Sequence, residues 1–353
     1  MKAHKSKSAF VGPVFRGVDS NVLTISDYAV MSNNPLVTKI TMSLLQNGII
    51  LADIPLATKA SMIANGVRWQ DNLPTVTWGK LNTDPTVTKG KPTPYQEQAF
   101  LVRNAIDVDI KILRDENRIV DPRAAQLSIY LQALAYDYND KFINNNHISG
   151  DDDAIVGLRY RLDNASTYGL VSEMKMDFGG VDISLAGVSA ANANKFIYYV
   201  QQILDYMGRP DGDGVVLYMN DIVKRLFENA VRVLGAGAGW TMTRDAFGRA
   251  ITMYRNAKIV DVGRKADQTT RIITATETSA GADGASTYSS IYACVYGEER
   301  LIGWQFDPIE ESIKDVGLIG NGGTIARILF DWATGLYPQH TRCMARGYNI
   351  KVS

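Results

Sequence analysis

The spacing of apolar residues changes several times along the chain, and each change marks an element. From Asp121 to Asn144 (DPRAAQLSIYLQALAYDYNDKFIN), Ala124, Leu127, Leu131, Leu134, Tyr138 and Phe142 recur every three or four positions, which puts them on one helix face. Asp121 suits the N-cap and Pro122 the first helical position, and neither Gly nor Pro interrupts Arg123 to Ile143. Roughly 22 helical residues at 1.5 Å each make a rod about 33 Å long. A rod of that length requires sheets laid along it. Just upstream the period switches to two. Ile106, Val108, Ile110 and Ile112 alternate with Asp107, Asp109 and Lys111, predicting a strand with one buried face.

Taken in order, residues 1–33 mix Gly, Pro, Ser and Asn with isolated apolar residues (Phe10, Val14, Phe15, Leu23, Ile25), a pattern for an extended segment lying on a surface. Asn34 and Pro35 open a short helix striped by Leu36, Ile40, Leu44 and Leu45 and closed by Gly48. Ile49 to Leu56 is a second apolar stretch. Residues 66–98 carry Gly66, Pro74, Gly79, Pro85, Gly90, Pro92 and Pro94 around a strand-like Thr75-Val76-Thr77-Trp78; compact domains rarely keep so long a loop without a use for it. We read Val67 to Leu113 as a two-stranded arm with its tip near Asn82 to Pro94. Such an arm is marginal alone in water, so it must lie on something, and a neighbouring copy of the chain is the candidate.

Beyond the rod, NNNHISGDDDAIVGL is a polar loop ending in an apolar clamp of Ile155, Val156 and Leu158. Residues 192–207 form an amphipathic helix (Phe196, Ile197, Val200, Ile203, Leu204, Met207) stopped by Gly208 and Pro210. Val215 to Met219 is a buried strand, after which Asn220 or Asp221 caps a helix that Leu234 and Gly235 end. With strands at 250–262 and 288–296 this block reads as an α/β unit, and the Thr-, Ser- and Gly-rich 269–290 as an exposed loop. Arg300 to Phe306 alternates around Leu301 and Trp304, and 324–332 and 341–352 are further sheet or short-helix candidates. The class is α+β.

Composition narrows the function more than it defines it. Lys plus Arg and Asp plus Glu both number 37, so no net charge draws the chain to nucleic acid or anionic lipid. The basic cluster Lys2, His4, Lys5, Lys7 reads as a solvated tail. With 46% hydrophobic and 21% charged residues the chain is globular rather than disordered. Cys294 and Cys343 make neither a disulfide framework nor a zinc pattern; a reducing compartment is the expectation. No apolar run reaches bilayer length, and MKAHKSKSAFVGP lacks the apolar core of a secretory signal. Cytoplasmic synthesis and no membrane partner are therefore expected.

No catalytic constellation emerges. Gly235 to Gly239 follows a helix and lacks the Lys-Ser/Thr ending of a phosphate loop. Asp211-Gly212-Asp213-Gly214 begins like a calcium loop, but Val215 and Ile222 fall at the fifth and twelfth positions, where ligands are needed. Asp151 to Asp153 read as a solvated turn. His4, His147 and His340 have no metal-binding spacing, and nothing resembles G-x-S-x-G. The carboxylate pairs Glu298–Glu299 and Glu310–Glu311 are adjacent rather than facing. No enzyme activity, cofactor or metal is expected.

The order of the pieces resembles the major capsid proteins of tailed bacteriophages, over most of the chain. The matching stretches are the arm helix from Asn34, LADIPLATKA leading into LPTVTW and the punctuated loop, AIDVDIKIL, the helix from Asp121, FINNNHISGDDDAIVGL, VVLYMND, RAITMYRNAKIVDVG and the terminal strands. The clamp departs from the family in carrying Ile155 or Val156 where an aromatic is usual. The resemblance implies an N-terminal arm (1–49), peripheral-domain segments (50–65, 99–153 with a spine helix at 122–143, and 300–338), and an extended β-hairpin loop (66–98). It also implies an axial α/β domain (154–299) to which the last strand (339–353) returns. It further implies pentamers and hexamers closing an icosahedral virion shell around double-stranded DNA held by non-specific contact, assembled in a host cytoplasm, with portal, scaffold or decoration proteins as further partners. Inter-subunit contacts are expected from Trp69, Val76, Trp78, Lys80, Lys89, Lys91 and Tyr95 on the loop and Phe10, Phe15, Leu23 and Ile25 on the arm. Some family members cross-link Lys to Asn between chains; for lysines at a loop tip, solubility and edge protection are the ordinary role. Two alternatives stand beside the phage shell. One is an encapsulin-type compartment of the same fold. The other is a β-rich carbohydrate-active hydrolase using Trp69, Trp78, Trp240, Trp304 and Trp332 as sugar platforms, residues that otherwise suit core or interface.

Overall fold

The computed structural model describes residues 48–59, 61–68, 73–114, 122–146, 153–235, 239–244, 250–278, 287–309, 311–320 and 322–353. The helix predicted from Asn34, the arm residues Phe10, Phe15, Leu23 and Ile25, the cap at Asp121 and Trp69 lie outside them. In chain order the elements are α1 (Ile49–Asp53), β1 (Leu56–Thr58), β2 (Ile63–Arg68), β3 (Thr93–Gln98), β4 (Phe100–Asp109), α2 (Ile110–Leu113), α3 (Pro122–Asn144), α4 (Leu158–Asp163), β5 (Lys175–Asp182), α5 (Ala190–Tyr206), β6 (Val215–Met219) and α6 (Asp221–Val233). There follow β7 (Trp240–Arg244), β8 (Ala250–Tyr254), β9 (Ala257–Asp261), β10 (Tyr288–Val295), β11 (Leu301–Gln305), β12 (Ile313–Ile319), β13 (Ile325–Pro338) and β14 (Met344–Lys351).

The rod is α3, and its predicted stripe is buried from Leu127 to Phe142, while Ala124 in its first turn is exposed. Its rings reach both large sheets. Tyr130 meets Phe330 at 5.2 Å and Tyr138 meets Trp332 at 6.0 Å, both on β13. Phe142 meets Tyr218 on β6 edge-on at 6.3 Å. The predicted clamp closes the rod's C-terminal end: Gly157 N–H donates to Asn145 O, and Asn145 Nδ2 donates to Ile155 O at 2.8 Å. A Cβ on Gly157 would lie 2.6 Å from Asn145 N, so the approach requires glycine.

One sheet has five strands. β13 runs antiparallel to β4 along Ile325–Thr334 on one side, and to β12 and then β11 on the other, with β1 parallel to β11 at the edge. The period-two segment therefore pairs with β13 and is not part of an arm. Its strand also ends sooner than predicted. The Asp109 carboxylate accepts from Lys111 N–H and opens α2, which takes Ile110 and Ile112 out of the alternation. β11 is buried at all five positions rather than alternating, because Leu56 and Ile54 cover the face at Gly303 while Ala64 and Tyr337 cover Ile302 and Trp304.

The second sheet runs β5-β14-β10-β6-β9-β8-β7. Ser189 caps α5 and Asn220 caps α6, and the faces of these helices meet through Phe196 and Phe227 at 5.0 Å. The strand predicted over 250–262 is a hairpin, β8–β9, turning at Arg255 with φ +51°. In the stretch expected to be an exposed loop, Ile272 and Ile273 are buried beside the core and β10 begins at Tyr288. Asp211 to Gly214 is a turn whose Gly212 sits against Ala257 of that hairpin. Among the described residues no three His, Cys, Asp or Glu side chains gather as a metal site, and no helix is long and apolar enough to cross a membrane.

Candidate assembly surface

β2 and β3 form a separate two-stranded sheet, in register from Ile63↔Gln98 to Arg68↔Thr93. Beyond it, residues 73–92 carry no regular strand. Thr88 Oγ1 donates to Thr75 O at 2.9 Å, tying the outgoing and returning segments together. The chain reverses at Lys80–Thr83, where Thr83 Oγ1 donates to Lys80 O and Asn82 takes φ +64°. The tip is thus at Lys80–Thr83 rather than 82–94, and Thr93 and Pro94 belong to the root.

This ribbon displays apolar side chains to solvent. Trp78 is 97% exposed, Leu81 95% and Val87 94%, and Leu73 and Val76 are nearly as open. A Cβ on Gly79 would meet nothing within 4 Å. Lys80, Lys89 and Lys91 are also exposed. Leu73, Leu81 and Val87 were absent from the sequence-derived set although they are apolar residues in the same punctuated stretch.

Tyr95, expected with the exposed group, sits at the root against its own chain. Its ring is 5.6 Å from that of Tyr337, the Arg68 guanidinium lies 3.9 Å from its centroid, and its hydroxyl donates to Glu97. Burial first, and the Glu97 carboxylate beside it, push the Tyr95 hydroxyl pKa up.

Two buried arginines fix the root, and sequence reasoning missed both. Arg161 on α4 is 1% exposed and makes a bidentate ion pair with Glu97 on β3, itself 8% exposed; Nη2 to Oε2 is 2.9 Å. Its Nε also donates to Val156 O. Burial opposes the Arg161 charge, Glu97 more than restores it, and the net pKa is raised. Arg68 at the end of β2 donates through Nη1 to Tyr168 O and Gly169 O, both at 2.8 Å, and through Nη2 to Pro338 O at 3.0 Å. The ribbon thus leaves a root held by charge-assisted bonds to three other parts of the chain.

Trp304 and Trp332 are fully buried and cannot stack on a sugar, which leaves the platform reading without two of its five residues. No family model matches the sequence, and no curated protein matches it. Solved structures do. The SrpI encapsulin from Synechococcus elongatus PCC 7942 aligns with a TM-score of 0.59 at 12% identity, covering 94% of this chain and 97% of that chain. The capsid of a native GTA particle aligns at 0.53 and 12%, covering 87% and 90%. Microbacterium phage Oxtober96 aligns at 0.50 and 12%, covering 100% and 96%. With a spine helix bridging two sheets and a ribbon standing off the body, the chain has the major capsid fold common to tailed-phage capsids and encapsulins.

Proposed function

We propose that the chain is a structural shell subunit whose activity is self-assembly, in a phage capsid enclosing double-stranded DNA. The supporting observation is the ribbon of residues 73–92, which exposes Leu73, Val76, Trp78, Leu81 and Val87 from a root that is rigidly held. Fully burying five such side chains is worth on the order of 10 kcal/mol gross, from which the costs of association are subtracted. In this reading the loop 66–98 lies on the adjacent subunit, with Trp69, Val76, Trp78 and the three lysines in contact, and the arm 1–49 crosses to another. Residues 154–299 and 339–353 surround the axis of a pentamer or hexamer, and 50–65, 99–153 and 300–338 form the periphery. An encapsulin-type compartment is the alternative within the same fold.

Sedimentation and electron microscopy of the purified chain test this. Capsomers or closed shells are expected for the full chain, and a folded, non-assembling protein when residues 73–92 are replaced by a short Gly/Ser link. A full chain that stays monomeric at micromolar concentration overturns the proposal. Nucleic acid inside the particles supports the phage shell; a co-purifying protein cargo supports the compartment.

A further inference from the structure

Four guanidinium groups gather where β11 begins and where β13 passes to β14. Arg68 comes from β2, Arg209 follows α5, Arg300 precedes β11 and Arg342 precedes β14. Gln339 N–H donates to Arg300 O at 2.7 Å, Arg68 Nη2 to Pro338 O, and Arg342 Nη1 to Tyr206 O, three residues before Arg209, which brings these segments together around His340. Acidic residues do not match them. Asp213 is 4.0 Å from Arg209 on an exposed side chain, Glu299 acts weakly on Arg300, and among the described residues neither Arg300 nor Arg342 makes an ion pair.

Their hydrogen bonds are unevenly used. The Arg68 Nη atoms serve three carbonyls, and Arg342 Nη1 donates to Tyr206 O at 3.2 Å. Arg300 Nη1, Arg209 Nε and Arg68 Nε are shielded from solvent and find no acceptor among the described residues. A buried cationic N–H without a partner is costly, and like charges brought together repel, least at Arg342, which is exposed, and at Arg209, whose side chain is 38% exposed. An anion removes both penalties. His340 narrows its class. Its Nδ1 accepts Arg342 N–H at 3.0 Å, so the neutral ring carries its proton on Nε2 and adds a donor rather than another charge. Burial and the surrounding guanidiniums hold it neutral, its pKa pushed down to about 4. The donors come from separate chain segments instead of one planar fork, which suits oxygens arranged tetrahedrally better than a single flat carboxylate.

We propose that Arg209, Arg300, His340 and Arg342 form a binding site for a phosphate-class oxyanion, supplied as free phosphate or as the phosphodiester of a nucleic-acid strand. The site stands independently of shell assembly.

Thermal unfolding of the full chain at pH 7.5 in increasing inorganic phosphate, with ionic strength held constant by sodium chloride, tests it. The wild-type midpoint should rise with phosphate as ligand linkage requires, and Arg300→Gln and Arg209→Gln should raise the half-effective phosphate concentration at least tenfold. Without phosphate, Arg300→Gln should be as stable as wild type or more so, because a repulsive charge is gone; a purely structural arginine would instead lower the midpoint. No rise beyond the chloride control, or an equal rise in Arg300→Gln, overturns the proposal. A labelled oligothymidylate separates the sources. Binding that phosphate competes away and Arg300→Gln weakens assigns the site to a strand; binding unchanged in the variant refutes that source and leaves free phosphate.

Discussion

Replacing Glu97 by Gln removes one charge from the Arg161–Glu97 pair and leaves the other in place. Both partners are nearly solvent-free, at 1% and 8% exposure, so water cannot take over the lost contact. Breaking a buried pair from one side costs about 3–5 kcal/mol, much of it the desolvation of the abandoned charge. At about 2.1 cal/mol/K of unfolding entropy per residue, a chain of 353 residues has about 0.7 kcal/mol/K, so the midpoint should fall by about 4–7 °C. Calorimetry reads this directly. The double variant Glu97→Gln/Arg161→Met carries no stranded charge and should be less destabilised than the two single changes added together. Arg161→Met by itself also loses the bond to Val156 O and the contact with the Tyr168 ring at 5.0 Å, which the cycle separates from the pair. A Glu97→Gln midpoint within about 1 °C of wild type, or strictly additive losses, refutes the claim that this pair carries the root.

Trp78→Ser with Val87→Ser should leave monomer stability within about 0.5 kcal/mol, since both side chains are in solvent, yet raise the concentration needed for assembly at least tenfold by sedimentation; unchanged assembly would remove the ribbon from the interface. Gly335→Ala places a Cβ 2.7 Å from Trp304 Nε1 and 2.9 Å from Gln98 O, and should cost about 1–3 kcal/mol of overpacking in denaturant unfolding. The folded-state pKa of His340 is depressed to about 4, below its ordinary value of about 6.5. Between those values the unfolded chain binds a proton that the folded chain does not, so this residue's contribution is intact above about pH 6.5 and is lost as pH falls toward 4. His340→Gln should flatten the midpoint–pH slope across that window, and an unchanged slope would show that the ring does not titrate there.

What could be read along the chain was whatever repeats locally. The stripe of α3, the helix over 192–207 and the step from Val215 through Asn220 each carry their own local period or stop signal, and the structure has these elements within a residue or two. The major misreading joined β4 to the ribbon. Alternation at Ile106 and Val108 shows a half-buried strand but not its partner, and that partner, β13, lies more than 200 residues away. β10 and β11 stand where strands at 288–296 and 300–306 were expected, but both are buried at every position, and a strand covered on both faces lacks the alternation read around Leu301 and Trp304. Ile272 and Ile273 were lost among threonines. The root had no local signal at all. Arg161 and Glu97 are 64 positions apart and Arg68 and Pro338 270, and an arginine that will be buried looks the same in sequence as one that will not.

The five-stranded sheet also sets a timetable for synthesis. β1, β4 and the spine helix leave the ribosome early, but the strand joining them, β13, ends at Pro338. At about 5–20 residues per second, the part of a helix complete at Asn144 that packs on β13 waits roughly 10–40 s for that cover. During that interval the nascent polypeptide holds Tyr130 and Tyr138 without their ring partners Phe330 and Trp332. The long-range pairing that makes the finished subunit rigid leaves its beginnings most in need of a chaperone's shelter.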